Sequence, residues 1–177
     1  MFMLYENIVV PLDLGAYTSA RSKLAVNLAA RFGARLIGIA AREMSHPHGH
    51  GKGGLITSKM VDSEKRHTLY ELALVEAAFR NEAKGLKDTE FFSLTVDPQL
   101  ALINKTRIAD LVLCNRPYDG DLDDWFADVS PGALLMRLGC PLLVAPLGFS
   151  GGWAAVSSSL GKIPGKLGER YGKLGRF

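Results

Sequence analysis

Five short apolar runs alternate with helical patterns between Asn7 and Pro146, and this alternation constrains the fold more than any other feature of the chain. The runs are "NIVVPLD" (Asn7 to Asp13), "RLIGIAA", "EFFSLTV", "LVLC" and "CPLLVAP". Between the first two, Leu24, Leu28 and Phe32 recur every four residues, which predicts a helix with a buried stripe. Thr18 is the expected N-cap of that helix and Gly33 its C-terminal stop. A longer helix is predicted from Lys59 to Lys84, with Leu72, Val75 and Phe79 on one face. "DPQLALINK" opens a third helix with Asp97 as N-cap and Pro98 in the first turn, and "SPGALLMRLG" repeats that start with Ser130 and Pro131. Strands that are apolar nearly throughout, each followed by a helix, belong to a parallel sheet covered on both faces. Right-handed crossovers make it an open, doubly wound α/β sheet, which binds ligands beyond the carboxyl ends of its strands. Asp13, Ala41 and the loop after Cys114 are expected to meet there.

That loop, "NRPYDGDLDDWFADVSPG", carries Asp119, Asp121, Asp123, Asp124 and Asp128. So many carboxylates repel a phosphate. Calcium is a poor match, because the EF-hand pattern wants Gly sixth and Glu twelfth, where this chain has Asp124 and Ser130. A solvated acidic loop is expected, with Trp125 and Phe126 folded back onto the core as its anchor.

At 177 residues one domain is the default. We expect it to span residues 1–147, followed by a disordered, basic Gly-, Ser- and Lys-rich tail over 148–177. No apolar run is long enough to cross a bilayer, and "MFMLYENIVVPLD" lacks the basic and small-residue features of a secretory signal. The expectation is a cytoplasmic protein with no membrane partner. Its net charge of +3 invites a nucleic-acid reading, but the excess lies in the tail, at Lys162, Lys166, Arg170, Lys173 and Arg176 against Glu169. Without those six residues the body has 16 basic and 17 acidic residues, so no nucleic-acid partner is expected.

The blocks "IVVPLDLGAYTSARSKLAVNLAARFGARLIGIAA" and "ADLVLCNRP…ALLMRLGCPLLVAP" resemble the universal stress protein family, in the right order over Asn7 to Pro146. The resemblance implies a five-stranded parallel sheet in the order 3-2-1-4-5, frequent dimerisation and, in many members, ATP binding. It assigns Asp13 to an aspartate that contacts adenosine. It also implies a phosphate loop of the form G-x2-G-x9-G-S/T, whose glycines let backbone N–H groups approach the anion. The corresponding positions here carry Asn115, Tyr118, Asp128 and Val129, so every one departs. Asp13, Ala41, Asn115 and Ser130 therefore mark a vestigial site. No cofactor is expected, and ATP is disfavoured.

His46, His48 and His50 in "HPHGHG" have the look of a metal strip, but no cysteine or carboxylate lies among them, so a surface loop is the preferred reading. No hydrolase, zincin or Walker sequence appears, and Ser22, Asp62 and His67 show no triad spacing. His67 is expected on the exposed face of the long helix. Cys114 and Cys140 are expected at opposite ends of the sheet as buried, unbridged thiols.

The tail repeats Leu160, Ile163, Leu167, Tyr171 and Leu174 at nearly helical spacing, but Gly161, Gly165, Gly168 and Gly172, with Pro164, oppose a helix. In a shifted frame, the codons for Ala155 to Gly172 can encode "RVVVAWKDTREARRAV", a strand and helix start like the second half of a tandem universal stress protein. The gene's nucleotide sequence decides whether a frameshift produced the tail. Without such a half, the fifth strand leaves an unpaired edge, and we expect a homodimer through residues 141–146. The function that follows is non-catalytic, stress-related binding. The alternative is an ATP-binding switch or weak nucleotide hydrolase using Asp13 and the 115–130 loop.

Overall fold

Apolar residues at successive positions of a strand point to opposite faces of a sheet, and two separate cores show this alternation. Ile8, Val10, Leu111 and Leu113 enter one core, while Val9 and Val112 enter the other. The computed structural model describes residues 5–44, 58–115, 125–126, 129 and 131–145, with Ala133 by its backbone alone. Its elements are β1 (Asn7–Pro11), α1 (Thr18–Phe32), β2 (Arg35–Ala41), α2 (Ser58–Glu82), β3 (Thr89–Leu94), α3 (Pro98–Lys105), β4 (Leu111–Asn115), α4 (Pro131–Leu135) and β5 (Leu142–Ala145). The five strands form one parallel sheet in the order β3-β2-β1-β4-β5. The doubly wound fold expected from the alternation is thus observed.

Leu24 and Leu28 from α1 and Leu72, Val75 and Phe79 from α2 fill the first core. Ala101 and Leu102 from α3 and Leu134 from α4 fill the second. The sheet separates the two layers. Gly38, in the middle of β2, allows α2 and β3 to approach. A Cβ there would lie 2.9 Å from Phe91 Cδ2, 3.0 Å from Leu12 Cδ1 and 3.1 Å from Phe79 Cε2. Gly33 ends α1 in the left-handed conformation (φ 64°), and its N–H returns to the Ala29 carbonyl.

Asp97 caps α3 by accepting the Leu100 N–H at 2.8 Å, with Pro98 in the first turn. The cap of α1 differs from expectation. Tyr17 holds the N-cap position and makes no side-chain cap bond, and Thr18 is already helical. The hydroxyl of Thr18 instead donates to Asp13, so the aspartate took the partner that the N-cap reading reserved for the backbone. The buried stripe of α1 also runs through Arg21, Leu24, Ala25, Leu28 and Ala29. Phe32 is only half-buried and meets Tyr5 edge to face at 5.1 Å.

The last helix is shorter than "SPGALLMRLG" suggested. After Leu135 the chain tightens, with Arg137 and Leu138 both donating to the Leu134 carbonyl at 2.8 Å. Cys114 is buried, but Cys140 is half-buried, because it lies in the turn before β5 rather than in a strand; neither is bridged. Among the described residues, no helix is long and apolar enough to cross a membrane. The tail over 148–177 lies outside the described residues, as do His46, His48, His50, Ser130 and Asp119 to Asp124 of the acidic loop.

Candidate functional site

The ends of β1 and β4 open onto a cleft lined by Pro11, Arg21, Leu102, Cys114, Asn115, Phe126, Val129 and Leu134. It measures about 300 Å3 out to its open mouth, and its enclosed part has room for about one water molecule. It lies at the carboxyl ends of neighbouring strands, where α/β sheets place ligands. Asn115 lines the cleft as expected. Asp13 is linked to it through Arg21. Ala41, by contrast, packs in the second core with Val9, Ile37 and Ile39.

Asp13 follows β1 and is buried. Its Oδ1 accepts the Gly15 N–H at 2.9 Å and the Thr18 hydroxyl, and its Oδ2 accepts Arg21 Nη2 at 2.7 Å. The pair is almost sealed from water, with 1% of the Asp13 side chain and 3% of the Arg21 side chain exposed. Arg21 Nη2 also donates to Thr18 Oγ1 at 3.0 Å, whereas Arg21 Nε is buried without a partner. Removing one partner of such a pair strands a buried charge, which typically costs about 3–5 kcal/mol.

Arg21 was not singled out in the sequence, yet a signal for it existed. It lies three residues before Leu24 and seven before Leu28, on the buried stripe itself. An arginine on that stripe must find an anion inside the fold, and Asp13 is that anion.

Cys114, on the opposite wall, is kept protonated. Burial pushes its thiol from 9.0 up to about 11, partly countered by the field of Arg21. It therefore supplies little thiolate at neutral pH. Partial burial, and then the Asp110 carboxylate, also raise the Cys140 thiol.

The loop after β4 is anchored as its aromatic pair suggested. Phe126 and Val129 enter the second core, and Trp125 packs against both cores. The Val129 N–H closes a turn onto the Phe126 carbonyl at 2.9 Å. Arg42, just beyond β2, stacks on the Trp125 ring with its guanidinium carbon 5.3 Å from the centroid. It also pairs with Glu71 of α2. His67, on the exposed side of α2, approaches the same carboxylate at 3.3 Å. This Arg42–Glu71–His67 group was also missed, because its members are far apart in sequence and share no motif.

Near Asn115 the described lining is Cys114, Phe126, Val129 and Leu134, with Arg21 as the charged member. Among the described residues, no group of three or more His, Cys, Asp or Glu is arranged to hold a metal ion.

No protein-family model and no curated protein matches the chain. Solved structures do match it. The chain is 21% identical to a universal stress protein family member from Burkholderia pseudomallei, with a TM-score of 0.51 over 82% of this chain and 99% of that one. It is 20% identical to the universal stress protein UspA from Lactobacillus plantarum, with a TM-score of 0.53 over 79% and 97%. A universal stress protein in complex with cAMP is 18% identical, with a TM-score of 0.52 over 80% and 97%. The chain has the universal stress protein fold, and these neighbours support the resemblance read from its sequence.

Proposed function

We propose that this chain is a stress-related binding protein of the universal stress protein type that performs no catalysis and has given up the usual nucleotide site. The observation that carries the reading is the commitment of Asp13. Its carboxylate is bonded to Gly15, Thr18 and Arg21 inside the protein, so it has little left to offer an adenosine hydroxyl. Phe126 and Val129, which line the cleft beside Asn115, support the same reading, because neither side chain offers a hydrogen-bond donor to a phosphate.

The reading includes self-association. β5 pairs only with β4 among the described residues; Val144 within it is exposed, as are Leu135 and Met136 at the end of α4. A homodimer through residues 141–146 would cover them.

Thermal unfolding with magnesium and ATP tests the proposal. A ligand at about 100 times its Kd adds about 2.7 kcal/mol to the folded state. We expect no change in Tm, and a rise of several degrees would overturn the reading. The second reading is an ATP-binding switch using Asp13 and the 115–130 loop. It is favoured by one observation, that a protein of this fold was crystallised with cAMP.

A further inference from the structure

We infer that Arg21 is the residue that determines what the cleft between β1 and β4 admits, acting as a built-in cation in the place a ligand would take. The inference rests on the proposal that the cleft is not a working nucleotide site, and it assigns the closure to a side chain rather than to the acidic loop.

Three observations converge on this residue. Arg21 occupies the buried stripe of α1, which it shares with the aliphatic Leu24 and Leu28. A buried ion pair at such a position is no better for stability than well-packed apolar residues, so packing alone does not account for it. Its guanidinium lies against the Asp13 carboxylate at 2.7 Å while the same side chain lines the cleft with Pro11, Cys114 and Asn115. Finally, Arg21 Nε has no partner, so the fit was not built around every donor of the arginine.

A carboxylate alone at the end of β1 would draw in ligands rich in N–H or O–H donors. With Arg21 present, Asp13 is paired with a cation and the enclosed space holds about one water. Polyhydroxyl and amine ligands are thereby excluded. Shortening Arg21 should leave a carboxylate-lined cavity that accepts a small organic cation of the same shape.

The experiment uses the full chain, its Arg21→Ala variant and the double variant Asp13→Asn/Arg21→Ala, titrated calorimetrically with ethylguanidinium chloride against sodium chloride. We expect saturable binding to Arg21→Ala that is at least about tenfold tighter than to the parent chain or the double variant. Equal binding to all three, or none to Arg21→Ala, would overturn the inference. If Arg21→Ala does not fold unaided, millimolar ethylguanidinium should restore its near-ultraviolet circular dichroism where sodium chloride does not; failure to restore it would count equally against the inference. Stabilisation of the parent chain by magnesium and ATP would instead remove the underlying proposal and leave the ethylguanidinium comparison standing.

Discussion

The β3-β2-β1 half of the sheet and the β4-β5 half differ in how completely this chain finishes them. In the first half, six register pairs join β2 to β3 and five join β1 to β2. The helices α1 and α2, of 15 and 25 residues, cover one face, and the polar groups at the strand ends are tied into ion pairs. The second half is joined to it by two register pairs between β1 and β4. Its own helix has five residues, its edge strand has four, and Met136 beside it is 86% exposed. Among the described residues both edge strands, β3 and β5, pair on one side only, and the second half is the one built from the shorter elements and the more exposed apolar residues. Substitutions should therefore act on stability in the first half and on association in the second.

The largest effect that would break this contrast is expected at Leu72, which is fully buried between α2 and the sheet. Leu72→Ala should lower the unfolding free energy by about 2–5 kcal/mol in urea titration. A loss below about 1 kcal/mol would mean that the α2 layer does not carry the first half.

Alkaline pH gives the next effect, at the junction of the halves. Cys114 keeps its proton up to about pH 11 in the fold, against 9.0 when unfolded. Between those values the unfolded chain has released a proton that the folded chain retains, so stability falls as pH rises. The difference amounts to about 2–3 kcal/mol across the window. Cys114→Ala should remove that slope from the pH–stability curve, and an unchanged slope would exclude a buried, protonated thiol.

A smaller effect is expected where the halves are joined. Asp110, at the foot of β4, accepts the Asn7 N–H at 2.8 Å and the Glu6 N–H at 3.0 Å, bracing β4 against the start of β1. Asp110→Ala should cost about 1–3 kcal/mol. It should also speed amide exchange along β4 more than along β2, and a uniform change would show that the two halves open as one.

The same contrast explains how much of the molecule could be read from its residues. Strand alternation, the caps at Asp97 and Gly33, and the Leu72–Val75–Phe79 face depend on neighbours within one or two turns, so they are written locally. The strand ends Asp13 and Asn115 are legible for the same reason. The partner of Asp13 was not, although Arg21 lies on a readable stripe, because hydrophobic periodicity assigns a face and not the ion that a charged residue on it will meet. The Arg42–Glu71–Trp125 contacts lie further out of reach, since they join the end of β2, the middle of α2 and the loop after β4. Thr18 shows how tertiary contact overrides a local rule: its hydroxyl serves Asp13 rather than a cap.

The smallest effect on stability, and the sharpest test of the contrast, lies at Val144 on the outer edge of β5. Val112 is in register with Leu142, and its N–H donates to the Pro141 carbonyl at 3.0 Å. Parallel pairing then directs the polar groups of Pro141, Leu143 and Ala145 toward β4 and those of Leu142 and Val144 outward. Val144 thus combines an outward backbone with a side chain that is 41% exposed. A lysine there leaves the β4 ladder intact and should change stability by no more than about 0.5 kcal/mol. It places a like charge on both copies of a self-paired edge, a common means of blocking such pairing. Val144→Lys should therefore convert dimer to monomer in sedimentation at micromolar concentration. A parent chain already monomeric there, or a variant that remains dimeric, would mean that the second half is finished by something other than its own copy.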